Sequence, residues 1–449
     1  MASGGAEAER FEEYLARLYE AVGHADRREP LKAYLSGLLL PGARKSVEPM
    51  AAKIDPRRVG ARHQSMHHFV AKAAWDAQAV LRVARDYALA QLERHAPVGA
   101  WVVDDTGMPK KGRHSVGVAR QYCGQLGKQD NCQVAVTVSL ANAVMSVPAS
   151  YQLYLPEPWA KDRRRCRAAA VPKEVKFQKK WEIALAQIDA LLADDLPRAP
   201  VVADAGYGVV TEFREGLAAR RLSYAVGISA EVSVWPPGRQ PLPASKWSGQ
   251  GRPPKLLRRS ATQRPVSVLD LATQQPEAAW SVVRWREGTK GTMSSRFARL
   301  RVRPAHRDYW RAVPRDPEWL VVEWPTGERE PTKYWFSNVP ETVPLDDLVR
   351  LIKIRWRIER DYQELKDELG LDHYEGRGWE GFHHHGVLCI AAYAFLAAER
   401  ARLSPPSTSC LPPSRSRTQR LPTPRSGPCV LNDIPPRRLR PCAATAPAL

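Results

Sequence analysis

Residues 100–112 read AWVVDDTGMPKKG and residues 200–208 read PVVADAGYG. In each, a short apolar run of strand character delivers an acid into a turn. The first run ends on Asp104 and Asp105 and is followed by Lys110 and Lys111; the second ends on Asp204, with Gly206 and Gly208 behind it. A carboxylate at the end of a buried strand is held rigidly, as metal coordination requires. Either stretch alone also reads as a strand closing in an ordinary aspartate turn. The two glycines let the backbone bend sharply or let a ligand come close.

A third stretch carries charge of another kind. Residues 352–370, IKIRWRIERDYQELKDELG, have helical character. Arg355 and Glu359 are four residues apart, Tyr362 follows Glu359 by three and Lys366 by seven, so all four fall near one helix face. A salt-bridged, solvated helix is the plain alternative, and Arg355 paired with Glu359 would be its first rung. The apolar Ile352, Ile354, Trp356, Ile358 and Leu365 sit badly with full solvation.

Around these stretches the chain changes character several times. Residues 1–95 read as helical: Phe11, Tyr14, Leu15, Leu18 and Val22 recur at helical spacing, and a second run extends from Met66 to Leu92. A basic linker between them (Arg44, Lys45, Lys53, Arg57, Arg58) suits either DNA-backbone contact or a solvated loop. Residues 96–230 alternate strand-like runs (100–103, 134–138, 201–203, 224–228) with a helix at 178–192, a mixed α/β pattern. Residues 231–344 are rich in short runs of Val, Trp, Tyr and Arg at 280–285, 299–302, 319–324 and 334–336, and read as mainly β. A long helix is expected from Leu345 to about Gly370, and another over 386–402. Residues 404–449 are dominated by Pro, Ser and Arg and read as a disordered tail whose removal leaves folding intact.

Composition narrows the partner. The 449 residues carry a formal net charge of +20 with 44% hydrophobic residues. Such a basic balance points to nucleic acid, because no apolar run approaches a membrane span and the N-terminus lacks a secretory pattern. A cytoplasmic, nucleoid-associated protein is expected. The seven cysteines form no CxxC pair, which supports neither a zinc site nor a disulfide framework. His383, His384 and His385 cannot all face one metal from a helix; a structural or DNA-contacting role is expected for them. His63, His67 and His68 have helical spacing for a metal pair without a supporting acid or cysteine.

Two strand-end aspartates and a helical glutamate in a basic chain suggest phosphoryl transfer with two divalent ions. Hard oxygen ligands suit Mg2+ or Mn2+. In their order and contexts these blocks resemble the DDE transposases of bacterial insertion sequences. Residues 104–136 (DDTGMPKKGRHSVGVARQYCGQLGKQDNCQVAV) are similar to the family's first-aspartate block, VVADAGYG to its second, and Arg355, Glu359 and Lys366 fit a Tyr-x2-Arg-x3-Glu-x6-Lys signature with Ile352 in the tyrosine position. The resemblance spans roughly residues 10–400.

That resemblance implies a ribonuclease-H-like catalytic fold interrupted by a mainly β insertion and preceded by a helical DNA-binding region. It implies Asp104, Asp204 and Glu359 as catalytic metal ligands for two Mg2+ or Mn2+ ions per site. Arg355, Lys366, Tyr362, Lys110 and Lys111 become DNA contacts. An aromatic in the insertion receives a flipped base in such enzymes; Trp235, Trp247, Trp285 and Trp324 are the candidates. Terminal inverted repeats and target DNA are the expected partners, with a homodimer or higher oligomer acting on paired ends. Strand neighbours point to opposite faces, so only one of Asp104 and Asp105 serves the ions; the family pattern favours Asp104. A catalytically silent DNA-binding remnant and a structure-selective nuclease of the same fold share the charge or the acids.

Overall fold

The structure is a computed structural model that describes residues 3–288 and 291–403; the expected tail at 404–449 lies outside the described residues. The chain opens with helices α1 (Ser3–Val22), α2 (Arg28–Leu39), α3 (Val47–Ile54), α4 (Val59–Ala71) and α5 (Ala77–His95). The run expected from Met66 to Leu92 is therefore two helices. The break is set by Asp76, whose side chain accepts from the Gln78 N–H at 2.8 Å and starts α5 afresh.

Four strands follow: β1 (Ala100–Pro109), β2 (Ala119–Cys123), β3 (Lys128–Ala141) and β4 (Ser146–Leu153). Short helices α6 (Glu157–Lys161) and α7 (Arg163–Ala168) lead to α8 (Lys180–Ala193). Then come β5 (Val201–Ala203), α9 (Ala205–Gly208), α10 (Thr211–Ala219) and β6 (Tyr224–Ile228). Strands β4, β3 and β1 are antiparallel neighbours, while β5 and β6 run parallel to β1. This mixed order, β4-β3-β1-β5-β6, is that of a ribonuclease-H-like sheet, as the sequence implied.

The insertion comprises β7 (Ser233–Trp235), β8 (Val266–Ser267), α11 (Val268–Thr273), β9 (Ser281–Gly288), β10 (Gly291–Pro304), β11 (Glu318–Trp324) and β12 (Lys333–Ser337). It is mainly β, as expected, and it is fused edge to edge with the preceding sheet, because β12 pairs antiparallel with β6. Among the described residues the result is one twelve-stranded sheet. Helix α12 (Leu345–Lys353) covers one face of the insertion strands, burying Leu348, Val349 and Ile352 against Phe297, Trp319 and Val321. Helices α13 (Trp356–Asp367) and α14 (Trp379–Leu403) complete the chain.

Two expected boundaries move, for identifiable reasons. Strand β1 does not stop at the acids. It runs on to Pro109 because β3 pairs with all of it, Asp104 opposite Thr137 and Asp105 opposite Val136, while β5 leaves after Ala203. The single helix expected from Leu345 to Gly370 is two. At residues 354–358 the backbone bonds tighten to three-residue spacing (Ile354 N–H to Leu351 O at 3.2 Å, Arg357 N–H to Ile354 O at 3.0 Å) and the axis is reset at Arg355.

Helix α14 ties the halves together. Apart from its ends it is buried nearly all round, and Val387, Ile390, Ala391, Ala394 and Phe395 share one continuous core with α1, α2, α4, α5 and the sheet. No helix of the described residues is long and apolar enough to cross a membrane.

Candidate active site

The register of β1 and β5 brings the first two acids together. Trp101, Val102 and Val103 pair with Val201, Val202 and Ala203. The next residue after each is an aspartate, so Asp104, within β1, and Asp204, just past β5, lie side by side on parallel strands about 4.8 Å apart. Asp204 caps the short helix α9, its carboxylate accepting from the Tyr207 N–H at 3.3 Å.

The turn behind Asp204 is fixed by packing. A Cβ on Gly208 would lie 1.9 Å from the carbonyl oxygen of Gly227 on β6. Neither Gly206 nor Gly208 has a positive φ. Gly208 is therefore needed for close backbone approach, and the approaching group is a neighbouring strand.

Asp104 is largely buried and its carboxyl is pushed up to about 7, first by burial and then by the charge of Asp204, against the opposing pull of Arg355. The Arg355 guanidinium donates to Asp104 at 3.1 Å and to Glu359 at 2.6 Å. It is a bridge between the first acid and the third. Glu359 keeps 57% of its side-chain surface exposed. Among the described residues no three His, Cys, Asp or Glu side chains are grouped closely enough to hold one ion. The fold thus brings Asp104 and Asp204 together, and Glu359 joins them through an arginine.

Asp105 faces a different set of partners. One oxygen accepts from the Tyr207 hydroxyl at 2.5 Å and the other from Lys180 of α8 at 2.6 Å. Burial and the Asp105 charge raise the Tyr207 phenol well above its ordinary range. Since Tyr207 also donates its backbone N–H to Asp204, Asp105 is linked to the second acid through one residue. Neither Tyr207 nor Lys180 was singled out from sequence. Tyr207 sits inside the VVADAGYG block, but nothing in a linear pattern says that its hydroxyl reaches back to β1.

The expected DNA contacts divide. Arg355 is partly exposed and Lys111 is exposed. Lys366 donates to the Gly107 carbonyl at 2.8 Å, and burial lowers its ammonium pKa. Lys110 donates to the carbonyls of Asp372 and Tyr374 at 3.2 and 2.7 Å, and burial lowers it likewise. Tyr362 is 6% exposed and lies in the core beside Thr137, its phenol raised by burial and by Asp104. Contact of Tyr362 with DNA is therefore corrected: three residues past Glu359 on α13 is the buried face, and Tyr362 seats the helix under Asp104.

Another buried acid was also missed. Asp361 accepts from the hydroxyls of Ser146 and Tyr393, the latter at 2.7 Å, and burial raises it to about 7. It clamps α13 to β4 and α14.

Of the insertion tryptophans, Trp235 is fully buried and donates to Asp308 at 2.6 Å. Trp285 packs edge-on against Phe297, and Trp324 against Trp280. Trp247 is 53% exposed. The three adjacent histidines are structural. His383 bonds Leu153 and Trp379, His384 lies against Trp75 with ring centroids 3.7 Å apart, and His385 meets Tyr34 and Gly370. His63 and His67 stack on each other at 5.9 Å, and among the described residues no group of metal-ligating side chains includes them.

A probable transposase for insertion sequence element IS701 from Microchaete diplosiphon is 34% identical over 185 residues, 41% of this chain and 45% of that protein. The chain thus aligns with less than half the length of that curated relative. The DDE superfamily endonuclease family matches residues 17–292, more than half of the chain and inclusive of Asp104 and Asp204. The chain belongs to the DDE superfamily endonucleases.

Proposed function

We propose that the protein is the transposase of an insertion sequence. It binds terminal inverted repeats, hydrolyses the phosphodiester at the element's end and joins the freed 3′ end to target DNA. The observation that carries this reading is the placement of Asp104 and Asp204 side by side, with Glu359 linked to Asp104 through Arg355.

The donor set fits hard divalent cations. Asp104, within β1, and Asp204, just past β5, offer carboxylate oxygens on adjacent strands, and burial with the charge of Asp204 raises the Asp104 carboxyl against the pull of Arg355. Two Mg2+ or Mn2+ ions held by Asp104, Asp204 and Glu359 would activate the attacking oxygen and stabilise the leaving one. Glu359 can join only when its bond to Arg355 is exchanged. A DNA phosphate is the natural recipient of that guanidinium, because Arg presents two parallel donors to a phosphate. Lys111 adds a backbone contact. Lys110, Lys366 and Tyr362 position the strand and helix that carry the acids.

The N-terminal helices, with their basic linker, and the insertion are read as the DNA-end contacts, with Trp247 the exposed one of the four candidate tryptophans. Two copies on paired ends complete the assembly. The test is incubation of the purified chain with labelled inverted-repeat DNA and Mg2+. Nicking at the element end is expected, and Glu359→Gln or Asp104→Asn should abolish it. Undiminished cutting by either variant overturns the site assignment.

A further inference from the structure

A cavity of about 180 Å3 on the insertion is lined by Pro236, Pro237, Gly238, Arg239, Gln240, Arg301, Arg303 and Pro317, three arginines and no acid. Its walls are fixed. Gly238 has φ +73°, and the Arg239 N–H bonds the Pro236 carbonyl at 3.0 Å. This is a tight turn with proline and then glycine at its centre, the residues that such a turn requires. It holds the Arg239 backbone in place. The ladder between β7 and β10 sets Trp235, just before the turn, opposite Arg303. Pro317 enters β11, whose Glu318 lies opposite Val302.

The charge is concentrated and unspent. Arg301 and Arg303 share one face of β10 with Arg299. Arg299 and Arg301 both lie on Trp319, 4.3 and 4.7 Å from the ring centre. Arg303 donates to the Arg315 carbonyl, and Arg299 to that of Val343 at 2.7 Å. Among the described residues none of Arg239, Arg299, Arg301 and Arg303 forms an ion pair, and neither Arg239 nor Arg301 donates a side-chain hydrogen bond. In a protein with many surface ion pairs, this concave row lacks carboxylates.

We propose that this cavity is a phosphate-binding site that grips the DNA backbone away from the reacting bond. The location follows from register. Tyr334 of β12 pairs with Ile228, which lies at the same strand end as Asp204, and Arg296 of β10 lies opposite Trp324 at that end. Arg301 and Arg303 lie at the other end of β10, four strands from β5. With strands about 4.8 Å apart, the phosphate held there is not the scissile one. The proposal rests on the reading of the protein as a DNA enzyme.

The test measures affinity of the full chain for a long B-form duplex as a function of salt. Each phosphate contact contributes about 0.9 to the slope of log affinity against log salt. Arg239→Ala with Arg301→Ala should lower the slope by about 1–2. Arg239→Lys with Arg301→Lys should retain most of it, and both variants should nick saturating DNA at the wild-type rate in low salt. An alanine variant with the wild-type slope overturns the site, as does inorganic phosphate that raises the wild-type melting temperature while the slopes of all three proteins coincide. Wild-type protein that binds no duplex overturns the functional reading itself; a slope change in a protein that does not nick leaves the cavity standing and sinks the catalytic reading.

Discussion

Asp104 and Asp105 are chemically identical neighbours with opposite surroundings. Asp104 faces Asp204 and a bridging arginine, whereas both Asp105 oxygens are already taken by Tyr207 and Lys180. Substituting each by Asn separates the roles. Asp104→Asn should lose on the order of 10^2–10^3 in cleavage rate or more, the scale of removing one electrostatic stabiliser of the transition state. Asp105→Asn should cost about fivefold or less, because a partly exposed ion pair is worth about 1 kcal/mol at most. Single-turnover nicking of labelled DNA compares the two; a dead Asp105→Asn with an active Asp104→Asn reverses the assignment. Gly208 makes a second prediction at this scale. An added methyl would collide with the Gly227 carbonyl, so Gly208→Ala should destabilise by about 1–3 kcal/mol, as overpacking does. Urea titration reads this directly, and an unchanged midpoint contradicts the close approach.

Much of this was legible from sequence because acids that close an apolar run keep their identity in one dimension. Asp104 and Asp204 stand at the ends of apolar runs, and Glu359 and Arg355 have helical spacing. The partners of Asp105 were not legible. Lys180 is 75 residues away, and only the fold decides that α8 passes over that face of β1. The same holds for Asp361, which looked like one more charge on a polar helix. Burial against Ser146 and Tyr393 shows that it faces inward.

At the scale of elements, α14 shows how far pattern carries. A helix was expected over 386–402 but starts at Trp379, and the three histidines near its start gave no sign of which face was covered. All three are buried, and burial lowers His383 and His385 to about 4. A histidine held neutral in the fold and free to charge when unfolded costs stability as pH falls. The contribution of these two histidines to stability should therefore be complete above about 6.5 and decline between 6.5 and 4, opposed over the same range by Asp104 and Asp361, which burial raises to about 7. Replacing His383 or His385 with Gln should flatten that decline, although either change lowers stability at neutral pH. Melting temperature across the pH range checks it, and parallel curves for wild type and both variants would rule it out. The split between α12 and α13 was invisible for a different reason. Residues 345–370 are helix-compatible throughout, and the break at Arg355 is enforced by what α12 and α13 separately pack on: the insertion strands for one, β4 and the first catalytic strand for the other.

For the whole molecule, the shared core matters more than any boundary. Tyr14 hydrogen-bonds the Ala391 carbonyl at 2.9 Å and Arg10 pairs with Glu399, so α1 and α14 are joined at both apolar and charged contacts. A chain beginning at residue 96 would expose the covered face of α14 to water. Such a fragment should aggregate or bind hydrophobic dyes, whereas the intact protein should not. A monodisperse fragment with native circular dichroism would show the core to be divisible.

The arginine between Asp104 and Glu359 has a consequence for the order of assembly. One side chain, Arg355, bonds both Asp104 and Glu359, so at the proposed metal site cations would compete with a guanidinium for these two acids. Whatever draws Arg355 away strengthens cation binding, and by thermodynamic reciprocity bound cations strengthen the hold on whatever drew it away. On the proposed function, the same DNA phosphate that exchanges with this arginine would also be what opens the acids to cations.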